Sequence, residues 1–212
     1  MPTKVSAAQV KELRAMTGAG PLDCKKALEA NDGDLQKAAD YLREKGIAKA
    51  QKKLGKGRSM NEGIVEIYQH FNGRLGVIVE VNCETDFVAN TEQFKKFAKD
   101  IAMHISSMSP EYVRREDVPQ AVVDAEKAIQ MKMEDLDGKP DTIKEKIVTG
   151  RLDKWYKEIV LLEQEFLMDD SKTIQQLLEE TVISIGESIQ VSRFARFELG
   201  GYAGNAEDGD EE

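Results

Sequence analysis

Cys83-Glu84-Thr85-Asp86-Phe87-Val88-Ala89-Asn90 is the stretch on which the reading of this chain turns. To its left the sequence reads as a β-hairpin, and to its right a helix begins. Between them lies a short corner carrying an acid, a large aromatic and a valine. A corner held at both ends by rigid elements is suited to presenting a side chain to a partner. Phe brings a large contact area on few rotatable bonds, which makes Phe87 a candidate anchor. The competing reading packs Phe87 onto Phe94 as part of the helix start, and the residues alone favour it.

Working leftward, residues 62–83 carry the clearest strand signal. Ile64-Val65-Glu66-Ile67-Tyr68 precedes Asn72-Gly73, the dipeptide preferred in type I′ turns because both positions need positive φ. After it, Leu75, Val77, Val79 and Val81 share one face, with Gly76, Ile78, Glu80 and Asn82 on the other. Residues 47–60 form a basic connector with Lys49, Lys52, Lys53, Lys56 and Arg58, and Gly55-Lys56-Gly57 signals a hinge. No aromatic residue interleaves with these charges to stack on bases, so a solvated linker is favoured over a nucleic-acid patch.

Residues 6–46 read as three short helices. Val10, Leu13 and Met16 recur at helical spacing, and Thr17-Gly18-Ala19-Gly20 ends the first helix. Pro21 opens the second at the position where its missing N–H costs nothing. Cys24, Ala27 and Leu28 form its apolar face. Asn31 to Asp34 supplies turn and cap chemistry. Leu35, Ala38, Ala39 and Leu42 line the third helix, with Gly46 as its expected end. So small a bundle buries little. That leaves Arg14, Pro21, Leu22 and Lys25 near the first turns as candidates to meet a partner, with core placement of Leu22 equally open.

Working rightward, 90–106 is an expected helix with Asn90 and Gln93 as a capping box and Phe94, Phe97, Ile101 and Ile105 inward. Val122 to Leu136, the turn at Asp137-Gly138-Lys139-Pro140, and Ile143 to Ile147 read as a helical-hairpin arm over about 120–150, closed by Gly150. Trp155 and Ile159 to Leu162 are assigned to the core. Ile174 to Ile185 is a further helix, and Ile189 to Leu199 alternates as a strand. From Gly200 the tail is glycine-rich and acidic, with expected disorder.

Bulk properties narrow the function. The 212 residues are 41% hydrophobic and 33% charged, with a formal charge of -9. Phosphate-backbone binding needs a concentrated positive field, so direct nucleic-acid binding is not expected. No apolar run reaches membrane-spanning length, and no signal-peptide core stands at the N-terminus. The cysteines, Cys24 and Cys83, form no metal spacing or disulfide framework, in keeping with a reducing cytosol. His70 with Cys83 would make a thiol nucleophile pair, but nothing in the sequence supplies an orienting third group. There is no phosphate-cradling loop, and Asp86 has no carboxylate partner spaced for acid–base work. No catalytic residue, metal site or cofactor is expected.

Two segments in order carry a resemblance. Thr17-Gly18-Ala19-Gly20 with Asp23-Cys24-Lys25-Lys26-Ala27-Leu28, and then Asn82 through Ala89, closely resemble elongation factor Ts. Met103-His104-Ile105, Gly150-Arg151-Leu152, Val160 to Gln164 and Arg196-Phe197-Glu198 are similar to the family's short form. The resemblance implies guanine-nucleotide exchange on the translational GTPase elongation factor Tu, engaged both GDP-bound and nucleotide-free. It implies that a module similar to ubiquitin-associated (UBA) domains grips the partner through Arg14, Pro21, Leu22 and Lys25. Pro21 departs from the Met common there in the family. It also implies that Thr85, Asp86, Phe87 and Val88 disturb the GTPase's bound Mg²⁺. Because the chain carries the Asp-Phe motif once, a homodimer through 188–199 is a further expectation.

Together these readings give an α+β protein: a UBA-like three-helix module over 1–47, a basic hinge over 48–60, a core of antiparallel strands, helices and a helical-hairpin arm over 61–199, and an acidic tail over 200–212. The expected setting is cytoplasmic. The alternative is a non-catalytic scaffold whose module binds another protein, and a third reading is an RNA-associated translation protein using Lys49 to Arg58.

Overall fold

The computed structural model describes residues 5–54, 60–136 and 138–201. The chain forms two compact units. One comprises Met1–Gly63, Cys83–Phe94 and Leu178–Gln190, and the other Ile64–Asn82, Lys95–Leu177 and Val191–Glu212. Several elements contribute residues to both.

The first unit opens with three helices: α1 Ala7–Thr17, α2 Pro21–Ala30 and α3 Leu35–Leu54. Ser6 and Gln9 form a reciprocal capping box at the start of α1, and left-handed Gly18 ends it. Asp34 caps α3 by accepting the Lys37 N–H at 3.0 Å. Leu13, Cys24, Ala27, Leu28 and Ala38 form the buried centre, with Val10, Leu35, Ala39 and Leu42 packed around it. These are the apolar positions that helical spacing selects. Met16 is the exception, because it lies on the exposed side of α1.

Gly46 does not end the third helix; α3 runs through it to Leu54. A Cβ at Gly46 would stand 2.8 Å from Ile183 Cδ1, so the glycine serves a close approach rather than a stop. Arg43 pairs with Glu180 at 3.9 Å on the same side. Gly55, Lys56 and Arg58 of the expected hinge lie outside the described residues, as does the acidic tail from Tyr202.

The second unit holds most of a three-stranded sheet ordered β1-β2-β5, with β1 Glu62–Gln69, β2 Leu75–Cys83 and β5 Ile189–Glu198. Val77, Val79 and Val81 are completely buried along one face of the central strand, as their alternation predicts. The hairpin turn differs from expectation. Gly73 adopts positive φ but Asn72 does not. The Gly73 N–H instead closes onto the His70 carbonyl, and the Asn72 side chain accepts the Arg74 N–H. A longer loop needs one left-handed residue where a two-residue type I′ loop needs two.

After β2 come the single turn α4 Asp86–Ala89 and the long α5 Glu92–Met108. The expected Asn90–Gln93 capping box is not formed. Thr91 caps α5, its Oγ1 accepting the Phe94 N–H, while Asn90 ends α4 by donating to the Asp86 carbonyl. Then follow α6 Gln120–Met131 and α7 Asp141–Ile159, in contact as a helical hairpin. Gly150 does not close it, because α7 continues through that position for nine more residues, 151–159. Arg151 donates to Asp135 and Met133 and fastens the connection to α7. Arg115 pairs with Asp153 and Glu163 and lies over the Tyr156 ring.

Two short strands that alternation did not reveal, β3 Glu165–Phe166 and β4 Asp169–Thr173, pair antiparallel before α8 Ile174–Ile185. Left-handed Gly186 ends α8, its N–H closing onto the Val182 carbonyl.

Candidate partner-binding site

The corner after β2 is built by hydroxyl caps. Thr85, in extended conformation, accepts the Val88 N–H on its Oγ1 and the Ala89 N–H on its carbonyl. That starts one turn of helix at Asp86. Thr91 Oγ1 then donates to the Val88 carbonyl at 2.8 Å and caps the next helix with the same oxygen. The turn is therefore fixed at both ends.

A single helical turn divides its four residues between two sides, and here they split by polarity and burial. Val88 and Ala89 face inward and are buried, while Asp86 and Phe87 face solvent. Phe87 is 83% exposed. Phe94 is completely buried and Phe87 faces solvent, so Phe87 does not pack against it as the competing reading requires. A wholly exposed benzyl side chain forgoes about 2 kcal/mol of available burial. A rigid turn that holds one outward is an arrangement that a docking partner would complete.

The N-terminal candidates also face solvent. Arg14, Pro21 and Lys25 are exposed, and Leu22 is 72% exposed, so the even choice between core and surface falls on the surface. Lys25 pairs loosely with Glu29 at 3.7 Å across one turn. Met16, 56% exposed, adds a second apolar side chain on α1. Helical spacing had assigned it inward, and no feature of the sequence marked it otherwise. Both sets of candidates belong to the first compact unit.

Cys83 and His70 have separate partners. The Cys83 thiol is buried and donates to the Thr85 carbonyl at 3.1 Å, and burial pushes its pKa up, away from the reactive thiolate. His70 Nδ1 meets the Tyr68 hydroxyl at 3.2 Å, and its ring lies tilted at 48° to that of Phe71 with centroids 4.4 Å apart. Among the described residues, no group of three or more His, Cys, Asp or Glu is placed to hold a metal, and no helix is long and apolar enough to cross a membrane.

Two features missed by sequence reasoning support the corner. Glu187 and Glu84 accept hydrogen bonds across the segment between α8 and β5. Their partners lie 102 and 104 residues away, beyond the reach of any local pattern.

The fold defines an α+β protein with a three-helix N-terminal module and an aromatic carried outward on a capped turn after a β-hairpin. Its family is settled by comparison: the chain matches the family model described as Elongation factor TS over residues 8–201. It is 56% identical over 196 residues to Elongation factor Ts of Geobacter sulfurreducens, covering 92% of this chain and 90% of that protein. It is 55% identical over 196 residues to the protein of that name from Thermoanaerobacter sp. (92% and 95% covered). It is 53% identical over 205 residues to the one from Carboxydothermus hydrogenoformans (96% and 94%). The chain belongs to the elongation factor Ts family and is a translation elongation factor.

Proposed function

We propose that this protein promotes GDP release from elongation factor Tu in the cytoplasm, by inserting Phe87 beside the nucleotide site while the N-terminal module holds the same GTPase. The observation that carries this reading is Phe87 itself, 83% exposed on a turn fixed at both ends. Insertion displaces backbone around the GTPase's Mg²⁺ and phosphates. Mg²⁺ demands near-octahedral oxygen geometry, so a small displacement of its shell loosens the nucleotide. Asp86, exposed beside Phe87, places a carboxylate next to the insertion.

Magnitudes decide how many contacts this takes. A ten-thousandfold loss of GDP affinity requires about 5.5 kcal/mol of coupling. One hot-spot aromatic supplies about 2 kcal/mol, in favourable cases about 4. Phe87 alone therefore falls short of that coupling, and other contacts around the corner must also strengthen in the nucleotide-free state, while exposed Leu22, with Arg14, Pro21 and Lys25 around it, holds the GTPase in both states. Phe87→Ala is expected to slow release of labelled GDP from preloaded elongation factor Tu about thirtyfold, the equivalent of 2 kcal/mol, without lowering the melting temperature. Unchanged release kinetics reject the wedge. Tight binding of the wild-type protein without any release would favour the scaffold.

The homodimer belongs to the same proposal. Strand β5 is an edge strand, and Val65, Ile67, Ile78 and Phe197 leave exposed apolar side chains on the sheet strands. A second copy would cover them. A single-chain mass at micromolar concentration in sedimentation rejects it.

A further inference from the structure

The segment between α8 and β5 is cross-tied to the corner in both directions. Thr85 Oγ1 donates to the Glu187 carboxylate, at 2.9 Å from one oxygen and 3.1 Å from the other. One residue before Thr85 and one after Glu187, Glu84 Oε1 accepts from Ser188, at 3.0 Å from its N–H and 2.7 Å from its hydroxyl. Each side thus contributes one carboxylate and one hydroxyl.

The Thr85 hydroxyl has one proton and two lone pairs. Glu187 accepts the hydroxyl's hydrogen bond, which leaves a lone pair turned toward the Val88 N–H and makes Thr85 the cap of α4. A charged acceptor makes the stronger bond. The turn that follows has only four residues. An isolated helix of that length does not hold together in water, so its direction must be set from outside. Gln93 Nε2 donates to Ser184 Oγ at 2.8 Å and adds a third tie from the end of α8.

We propose that Glu187 is a positioning residue for nucleotide exchange: its carboxylate, held on Thr85, fixes the turn from which Phe87 projects. This rests on the wedge reading above and deepens it. Without the tie, the corner must be ordered during docking, and that cost falls on the step Phe87 performs. The half-saturating concentration, set mainly by the N-terminal handhold, changes little.

The test measures GDP release from preloaded elongation factor Tu over a range of concentrations of this protein, with Phe87→Ala run alongside. Glu187→Ala is expected to lower the maximal release rate about tenfold and to shift half-saturation less than about twofold. Thr85→Val breaks the same bond and also removes the cap on the Val88 N–H, and is expected to lower the maximal rate at least as much. The double variant is expected to be no slower than Thr85→Val alone, because that change already removes the bond that Glu187 makes. Glu187→Gln and Thr85→Ser retain the acceptor and the hydroxyl, and are expected to keep most of the rate. Full maximal rates in Glu187→Ala and Thr85→Val, with Phe87→Ala slow, overturn the positioning role and leave the wedge intact. So do rates of the two breaking variants that simply multiply in the double. A Phe87→Ala protein as fast as wild type removes the wedge, and the role of Glu187 with it.

Discussion

At the scale of single residues, His104 has a chemical state that the fold dictates. It is completely buried on α5. Its Nδ1 accepts the Leu167 N–H at 3.2 Å, which leaves the ring proton on Nε2, donated to Gln164 Oε1 at 3.0 Å. Gln164 in turn donates to the Glu158 carbonyl at 2.6 Å. Burial pushes the His104 pKa below its ordinary 6.5, and the Gln164 bond pulls it part of the way back. Above 6.5 the ring is neutral folded and unfolded, and contributes no pH dependence. Below it, the unfolded chain takes a proton that the folded chain refuses, so stability falls toward the depressed folded value. The slope from this one group cannot exceed about 1.4 kcal/mol per pH unit. His104→Gln is expected to flatten urea stability between about pH 6.5 and 5.5, and an unchanged slope would show that His104 is not the group responsible. The sequence placed His104 among apolar residues on a helix but could not show its partners, since Gln164 is 60 positions away. Phe87 and Leu22 were ambiguous for a different reason. An apolar side chain beside a helix start fits inside or outside equally well until its neighbours fill the core, and here Val88, Ala89 and Phe94 fill it beside Phe87, and Leu13, Cys24, Ala27 and Leu28 beside Leu22.

At the scale of elements, local chemistry was legible wherever one residue decided the geometry. Pro21, Gly18, Asp34 and Gly186 start or end helices where their stereochemistry puts them. It failed at the two glycines read as stops, because glycine inside a helix costs about 1 kcal/mol relative to alanine and continuing contacts override that. The two differ in what surrounds them. Space is open where a Cβ would stand at Gly150, whereas at Gly46 it would meet Ile183. Nothing in the structure explains the glycine at 150. Gly150→Ala is therefore expected to raise unfolding stability by up to about 1 kcal/mol. Gly46→Ala is expected to gain less, because the new methyl must displace the Ile183 side chain. Denaturant melts of both variants check this, and an equal gain at both would mean that the Gly46 approach is unconstrained. Strands β3 and β4 escaped notice because Glu165–Phe166 and Asp169–Thr173 are too short and too polar to alternate visibly.

At the scale of the whole molecule, exchange is a coupling free energy, and it runs both ways. If this protein weakens GDP binding to elongation factor Tu by some factor, GDP must weaken this protein's binding by the same factor. The two exposed handholds then leave different thermodynamic signatures. On the proposed reading, Leu22 lies on a module that would touch the GTPase whether or not nucleotide is present, so its contacts would add to affinity for both forms. Phe87 would act only where the Mg²⁺ shell has opened, so its contacts would add to affinity for the empty form alone. Leu22→Ala is expected to weaken binding to GDP-loaded and nucleotide-free elongation factor Tu alike, about thirtyfold for a 2 kcal/mol hot spot, leaving the ratio of the two affinities unchanged. Phe87→Ala is expected to shrink that ratio by a similar factor while leaving affinity for the GDP-loaded form within about twofold. Calorimetric titration of each variant against both forms separates the roles. A Leu22→Ala protein with a reduced ratio would place the N-terminal module in the distortion itself. A Phe87→Ala protein with an unreduced ratio would make the exposed benzyl group an ordinary contact, and the source of the coupling would then have to be sought elsewhere on the chain.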